Sequence, residues 1–123
     1  MNRFKDILCV VEPEKVSKHI LERAVSLAEN NQGSLTVVIV VERVTAGIGL
    51  PEDGSIPADL QAAMVDSQMQ KLATLVEPYR KRVKIETKVL IGTPFLEIIR
   101  EVLRNGRDLV IKIPEHQDWL DRL

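Results

Sequence analysis

The chain has 123 residues, enough to bury one core of four or five strands with flanking helices and too few for two independent domains. Its 17 basic and 18 acidic residues leave a formal charge of −1, so there is no net field to gather nucleic acid or anionic lipid. No apolar run approaches the roughly 20 residues of a membrane helix, and the opening Met1-Asn2-Arg3-Phe4-Lys5-Asp6 carries no cleavage site of small residues. A cytoplasmic protein is expected.

The first strand runs from Asp6 to Val11, an apolar stretch suited to burial on both faces. The single Cys9 lies inside it, cannot close an internal disulfide, and is read as a small packed hydrophobe. Pro13 suits a first helical position, and Val16, Ile20, Ala24, Leu27 and Ala28 then recur at helical spacing, facing a sheet. Asn30-Asn31-Gln32-Gly33 stops that helix, and Leu35–Val41 is a second doubly buried strand, parallel to the first.

Residues 42–57 hold Gly47, Gly49, Gly54, Pro51 and Pro57 and are expected to form a flexible loop over the sheet. A second helix follows from Ala58 to about Arg82, with Val65, Met69, Leu72, Val76 and Tyr79 on one side and Pro78 bending or ending its last turn. Val83, Ile85, Thr87, Val89 and Ile91 alternate with Lys84, Glu86 and Lys88, as in a strand at a sheet edge. Thr93 and Pro94 open a third helix with the stripe Phe95, Ile98, Ile99, Val102 and Leu103, which Asn105-Gly106 closes in the left-handed conformation. Asp108–Ile113 is the fourth strand, ended by Pro114. Strands alternating with helices place the chain in the α/β class, as a single three-layer domain with an open parallel sheet and helices on both faces.

Few residues suggest chemistry. His19, His116 and Cys9 fall on separate elements, so no metal site is expected, and no nucleophile elbow, phosphate-binding Gly-Lys loop or paired zinc histidines occur. No catalytic residue is assigned. Glu12 is the best single candidate, because ligands of open α/β sheets bind beyond the carboxyl ends of the strands. Arg80, Lys81, Arg82 and Lys84 read as a solvated helix end, and Met64 and Met69 as core. Trp119 and Leu120 stand out as large apolar residues in an otherwise charged tail.

Four segments together resemble the universal stress protein family. They are Phe4-Lys5-Asp6-Ile7-Leu8-Cys9-Val10-Val11, the Gly-rich loop after the second strand, Ile91-Gly92-Thr93-Pro94, and Asn105-Gly106-Arg107-Asp108-Leu109-Val110-Ile111. The resemblance implies a Rossmann-like nucleotide-binding α/β fold of five parallel strands ordered 3-2-1-4-5, with dimers formed through the last strand and a division into ATP binders and non-binders. This sequence is expected to reach only the order 3-2-1-4, with the fifth strand missing. Either a continuation of the chain beyond Leu123, or else a homodimer or partner domain over the edge of the fourth strand, is therefore expected.

In the ATP-binding branch, glycines after the fourth strand cradle the phosphates; here Ile113-Pro114-Glu115-His116 stands in their place, and no glycine follows Gly106. The branch's nucleotide-contacting Asp is matched by Glu12, the adenine-facing residue by Val41, and Gly92 completes a candidate adenine-nucleotide pocket. The expected function is a non-catalytic stress-response or regulatory domain acting through protein association, without ATP or another cofactor. The alternative is an ATP- or AMP-binding domain with weak or no hydrolysis. A nucleotide-fold subunit of electron-transfer or ATP-pyrophosphatase type is a third reading, because fold does not dictate function.

Overall fold

A computed structural model describes residues 4–12, 18–44 and 55–112, with side chains from Asp59 onward in the last stretch. In chain order it contains β1 (Asp6–Val10), α1 (Lys18–Asn30), β2 (Ser34–Val41), α2 (Ser55–Val76), a 3₁₀ turn (Glu77–Tyr79), β3 (Lys84–Ile91), α3 (Pro94–Asn105) and β4 (Leu109–Lys112). The strands form one parallel sheet in the order β3-β2-β1-β4. β3 lies at an edge, as its alternation of apolar and charged residues implies.

Strand alternation builds two cores. Ile7, Cys9, Val11, Leu35, Val37, Ile39 and Val41 point to one face, where Leu21, Ala24, Val25 and Ala28 of α1 and Leu72 and Val76 of α2 cover them. Leu8, Val10 and Val38 point to the other, under Ile98 and Val102 of α3. β1 and β2 are therefore apolar at nearly every position, each fully buried Ile, Leu or Val contributing about 1.5–3 kcal/mol. Burial pushes the Cys9 thiol up to about 12, so almost no thiolate exists at neutral pH. Cys9 is expected to resist thiol reagents in buffer and to react at once in denaturant; rapid labelling of the folded chain would contradict this placement.

Several boundaries differ from expectation. β1 ends at Val10, although the Val11 N–H still donates to Val38 O at 2.9 Å. α1 centres its buried stripe on Leu21 and Val25 as well as Ala24 and Ala28, because a helix lying flat on a sheet buries a wider band than one row of residues. Pro13 and Val16, proposed for its start, lie outside the described residues.

The 42–57 loop is shorter than expected, since α2 already begins at Ser55 and Pro57 sits in its first turn, where no intrahelical N–H is needed. Residues 45–54 lie outside the described part. On the near side, Val44 N–H donates to Gln61 Oε1 and Gln61 Nε2 donates to Glu42 O, tying this part of the loop to α2. α2 stops at Val76, six residues before Arg82, and Pro78 falls in the 3₁₀ turn that follows.

The stop of α1 separates two jobs often given to one glycine. Gln32 N–H donates to Glu29 O and Gly33 N–H to Ala28 O, the paired bonds of a Schellman motif, and the left-handed residue is Gln32, with φ 53°. Gly33 is required for a different reason: an added Cβ would lie 2.7 Å from the carbonyl oxygens of both Phe4 and Lys5. Buried Asn31 reinforces the junction by accepting from Phe4 N–H and donating to Leu27 O.

α3 departs most from its expected role. Ile98 and Val102 face the sheet, but Phe95 is 70% exposed and Leu103 78% exposed. The helix is rolled so that Glu101, not the Phe95-Ile99-Leu103 row, shares the inward side. Its closure by Gly106, with φ 62° and its N–H donating to Val102 O, is as expected, whereas Thr93 makes no side-chain cap bond.

Candidate functional site

The carboxyl ends of β1, β2 and β3 form the rim where the sequence places its candidates. Gly92 N–H donates to Val41 O at 2.9 Å, so these two residues are direct neighbours across β2 and β3. Glu12 follows Val11 off the end of β1 and is half-buried. Val41 is only 4% exposed and packs in the core under α1 and α2. Its backbone belongs to the rim, while its side chain serves the interior.

Gly92 has φ 145°, a conformation suited to glycine, and an added Cβ would lie 2.7 Å from Glu97 Oε2. The Glu97 carboxylate thus rests against Gly92, held there by Arg100 at 2.8 Å. The rim at this point offers a carboxylate and an N–H already engaged with Val41. Next to it, a groove of about 590 Å³ runs between the β2–β3 end and α2, lined by Arg43, Val44, Gln61, Ala62, Val65, Asp66 and Ile91. A second groove of about 610 Å³ lies between α1 and β4, where His19, Glu22 and Arg23 border Leu27, Leu109 and Ile111. Neither is lined by Glu12, Val41 or Gly92. Among the described residues no three His, Cys, Asp or Glu side chains gather as a metal set, and no helix is long and apolar enough to cross a membrane.

A polar cluster that the sequence reading missed lies under α3. Glu101, 5% exposed, accepts at one oxygen from Lys88 Nζ (3.0 Å), Asn105 Nδ2 (2.8 Å) and Arg107 (2.8 Å). Burial raises the Glu101 carboxyl, but the hydrogen bonds and charges of Arg107 and Lys88 outweigh it and hold the group below its ordinary value. The available signal was the alternation of β3, which sends Lys88 to the α3 side. On the opposite face of the sheet, Arg82 makes a bidentate pair with Glu29, and Arg80 pairs with Glu77. Half of the basic run after α2 is thereby neutralised.

The model of the universal stress protein family matches residues 3–123. The chain belongs to that family. Universal stress protein MJ0531 of Methanocaldococcus jannaschii is 25% identical over 99% of this chain and 71% of its own length. Among solved structures, a universal stress family protein from Burkholderia pseudomallei superposes with TM-score 0.68 at 19% identity, covering 94% of this chain and 86% of that one. Universal stress protein UspA from Lactobacillus plantarum does so with TM-score 0.69 at 21% identity, covering 89% and 77%. At such identities these structures support the fold of this family member, and its chemistry must be argued from its own residues.

Proposed function

We propose that this universal stress protein is a non-catalytic regulatory domain that acts by associating with another chain, a second copy or a partner domain, along the edge of β4. The observation that carries the reading is that β4 pairs with β1 alone, and among the described residues no strand covers its outer side. A parallel strand with one open edge is a template for pairing. Beside it, Val110 is 36% exposed and the α1–β4 groove offers Leu109 and Ile111.

Adenine-nucleotide binding is the second reading, favoured by the groove that reaches Ile91, next to Gly92. Against it stand the engaged Gly92 N–H, the adjacent Glu97 carboxylate, and Pro114 and Glu115 in the sequence where the ATP-binding branch carries glycines. Calorimetric titration with ATP and AMP is expected to give no binding heat. Sedimentation over a concentration series is expected to show association, which Val110→Lys weakens. A chain that binds ATP with micromolar affinity and stays monomeric would overturn the proposal.

A further inference from the structure

The rotation of α3 sets what the helix leaves uncovered. Ile98 and Val102 sit over Leu8 and Val10 of β1 and Val38 of β2, and Glu101 reaches Lys88 of β3, at one edge of the sheet. Ile99 stands about 160° around the helix from Glu101, so the row Phe95, Ile99 and Leu103, at i, i+4 and i+8, turns toward the opposite edge, β4. All three are exposed, as is Leu96 beside them. Leu109 and Ile111 pack toward the α1 side, which leaves Val110 pointing to the α3 side, at the foot of the row. The apolar flank of α3 is thus continuous with the open edge of the sheet.

Size and charge select the occupant. The five side chains present about 500 Å² of apolar surface, large for a monomer, and two such faces together bury about 1,000 Å², the scale a specific interface needs. The row offers a partner no free charge: Glu97 is held by Arg100 and Glu101 by Lys88 and Arg107, and exposed Arg104 stands about 140° around the helix from Ile99. A bare apolar row is complementary to itself. A two-fold axis normal to the sheet, set at the β4 edge, runs two β4 strands antiparallel and keeps both α3 helices on one face of the joined sheet. The helices then lie antiparallel with Ile99 at the axis, and Phe95 falls opposite Leu103 of the other copy because both are four residues from Ile99.

We propose that the row Phe95, Ile99 and Leu103 of α3 packs on the same row of a second copy of this chain, with Ile99 against its counterpart. This contact rests on the β4 association proposed above and names its partner.

Sedimentation over a concentration series should show a dimer whose affinity falls by about tenfold or more in Leu103→Asp and in Ile99→Asp, with the circular dichroism spectrum retained, because each variant buries a carboxylate in an apolar seam. Cross-linking locates the axis. Cys9 is buried, with its thiol pushed up to about 12, so an introduced cysteine is the reactive one. Under mild oxidation Ile99→Cys should form a disulfide-linked dimer well before Glu77→Cys, an exposed position just beyond α2. Equal rates would overturn the contact. So would an association that Val110→Lys weakens and Leu103→Asp leaves intact, a result that keeps the β4 edge as proposed and removes α3 from it. A chain that stays monomeric at every concentration would overturn the contact as well, leaving the β4 edge to a partner domain.

Discussion

Glu101→Ala is expected to destabilise the fold by about 4 kcal/mol, because removing one partner of a buried ion cluster leaves the opposite charge uncompensated. Arg107 is the group left behind: its side chain is 9% exposed, and its Nε has no hydrogen-bond partner among the described residues. At about 4 °C per kcal/mol for a domain of this size, the melting temperature should fall by about 15 °C in a calorimetric scan. Glu101→Gln keeps the shape and one acceptor and should cost less. Replacing Glu101 and Arg107 together with Leu and Met should recover most of the loss, since apolar replacement of a whole buried pair is often neutral. If the double variant is as unstable as Glu101→Ala, the cluster is not the cause.

The same carboxylate predicts a pH dependence. Its value in the fold lies below the ordinary one, so its stabilising contribution is complete above the unfolded carboxylate value of about 4.3 and is lost as pH falls through the lowered folded value. Urea midpoints of the unmodified chain should decline over that acid range. The decline should be shallower in Glu101→Gln, and parallel slopes in the two proteins would refute the assignment.

Gly33→Ala is the second large effect, expected at about 3 kcal/mol. The new Cβ would stand 2.7 Å from two carbonyl oxygens and 2.9 Å from Lys5 Cα, all backbone atoms that cannot swing aside. Relief requires the start of β2 to move away from the entry to β1, which strains the Ser34 N–H bond to Lys5 O at 2.8 Å. Gln32→Gly supplies the contrast. It relaxes the one left-handed non-glycine among the described residues and should be neutral or slightly stabilising, as read from urea midpoints. Were Gly33→Ala as mild as Gln32→Gly, the close approach of the two strands would be wrong.

These effects mark where the sequence could and could not be read. The order of elements was legible because β1 and β2 are continuously apolar, β3 alternates, and Gly106 ends α3 with the residue type a left-handed stop favours. Gly33 was legible only as a helix stop. Its real constraint comes from Phe4 and Lys5, distant in sequence and adjacent in space, so no local pattern contains it. Val41 shows the same limit at the rim. The family resemblance matched it to an adenine-facing residue, whereas in the fold its side chain packs in the core.

Periodicity and turn chemistry were enough to establish a parallel α/β sheet, because each depends on neighbours within a few residues along the chain, while the strand order followed from the resemblance to the universal stress protein family. The roll of α3, the burial of Glu101 with Lys88 and Arg107, and the apolar face this leaves outward were decided only in three dimensions. A helix with apolar residues on both flanks can seat in more than one rotation. Which one is adopted depends on the cations that β3 and the approach to β4 bring beneath it, at separations along the chain that no helical or strand period encodes.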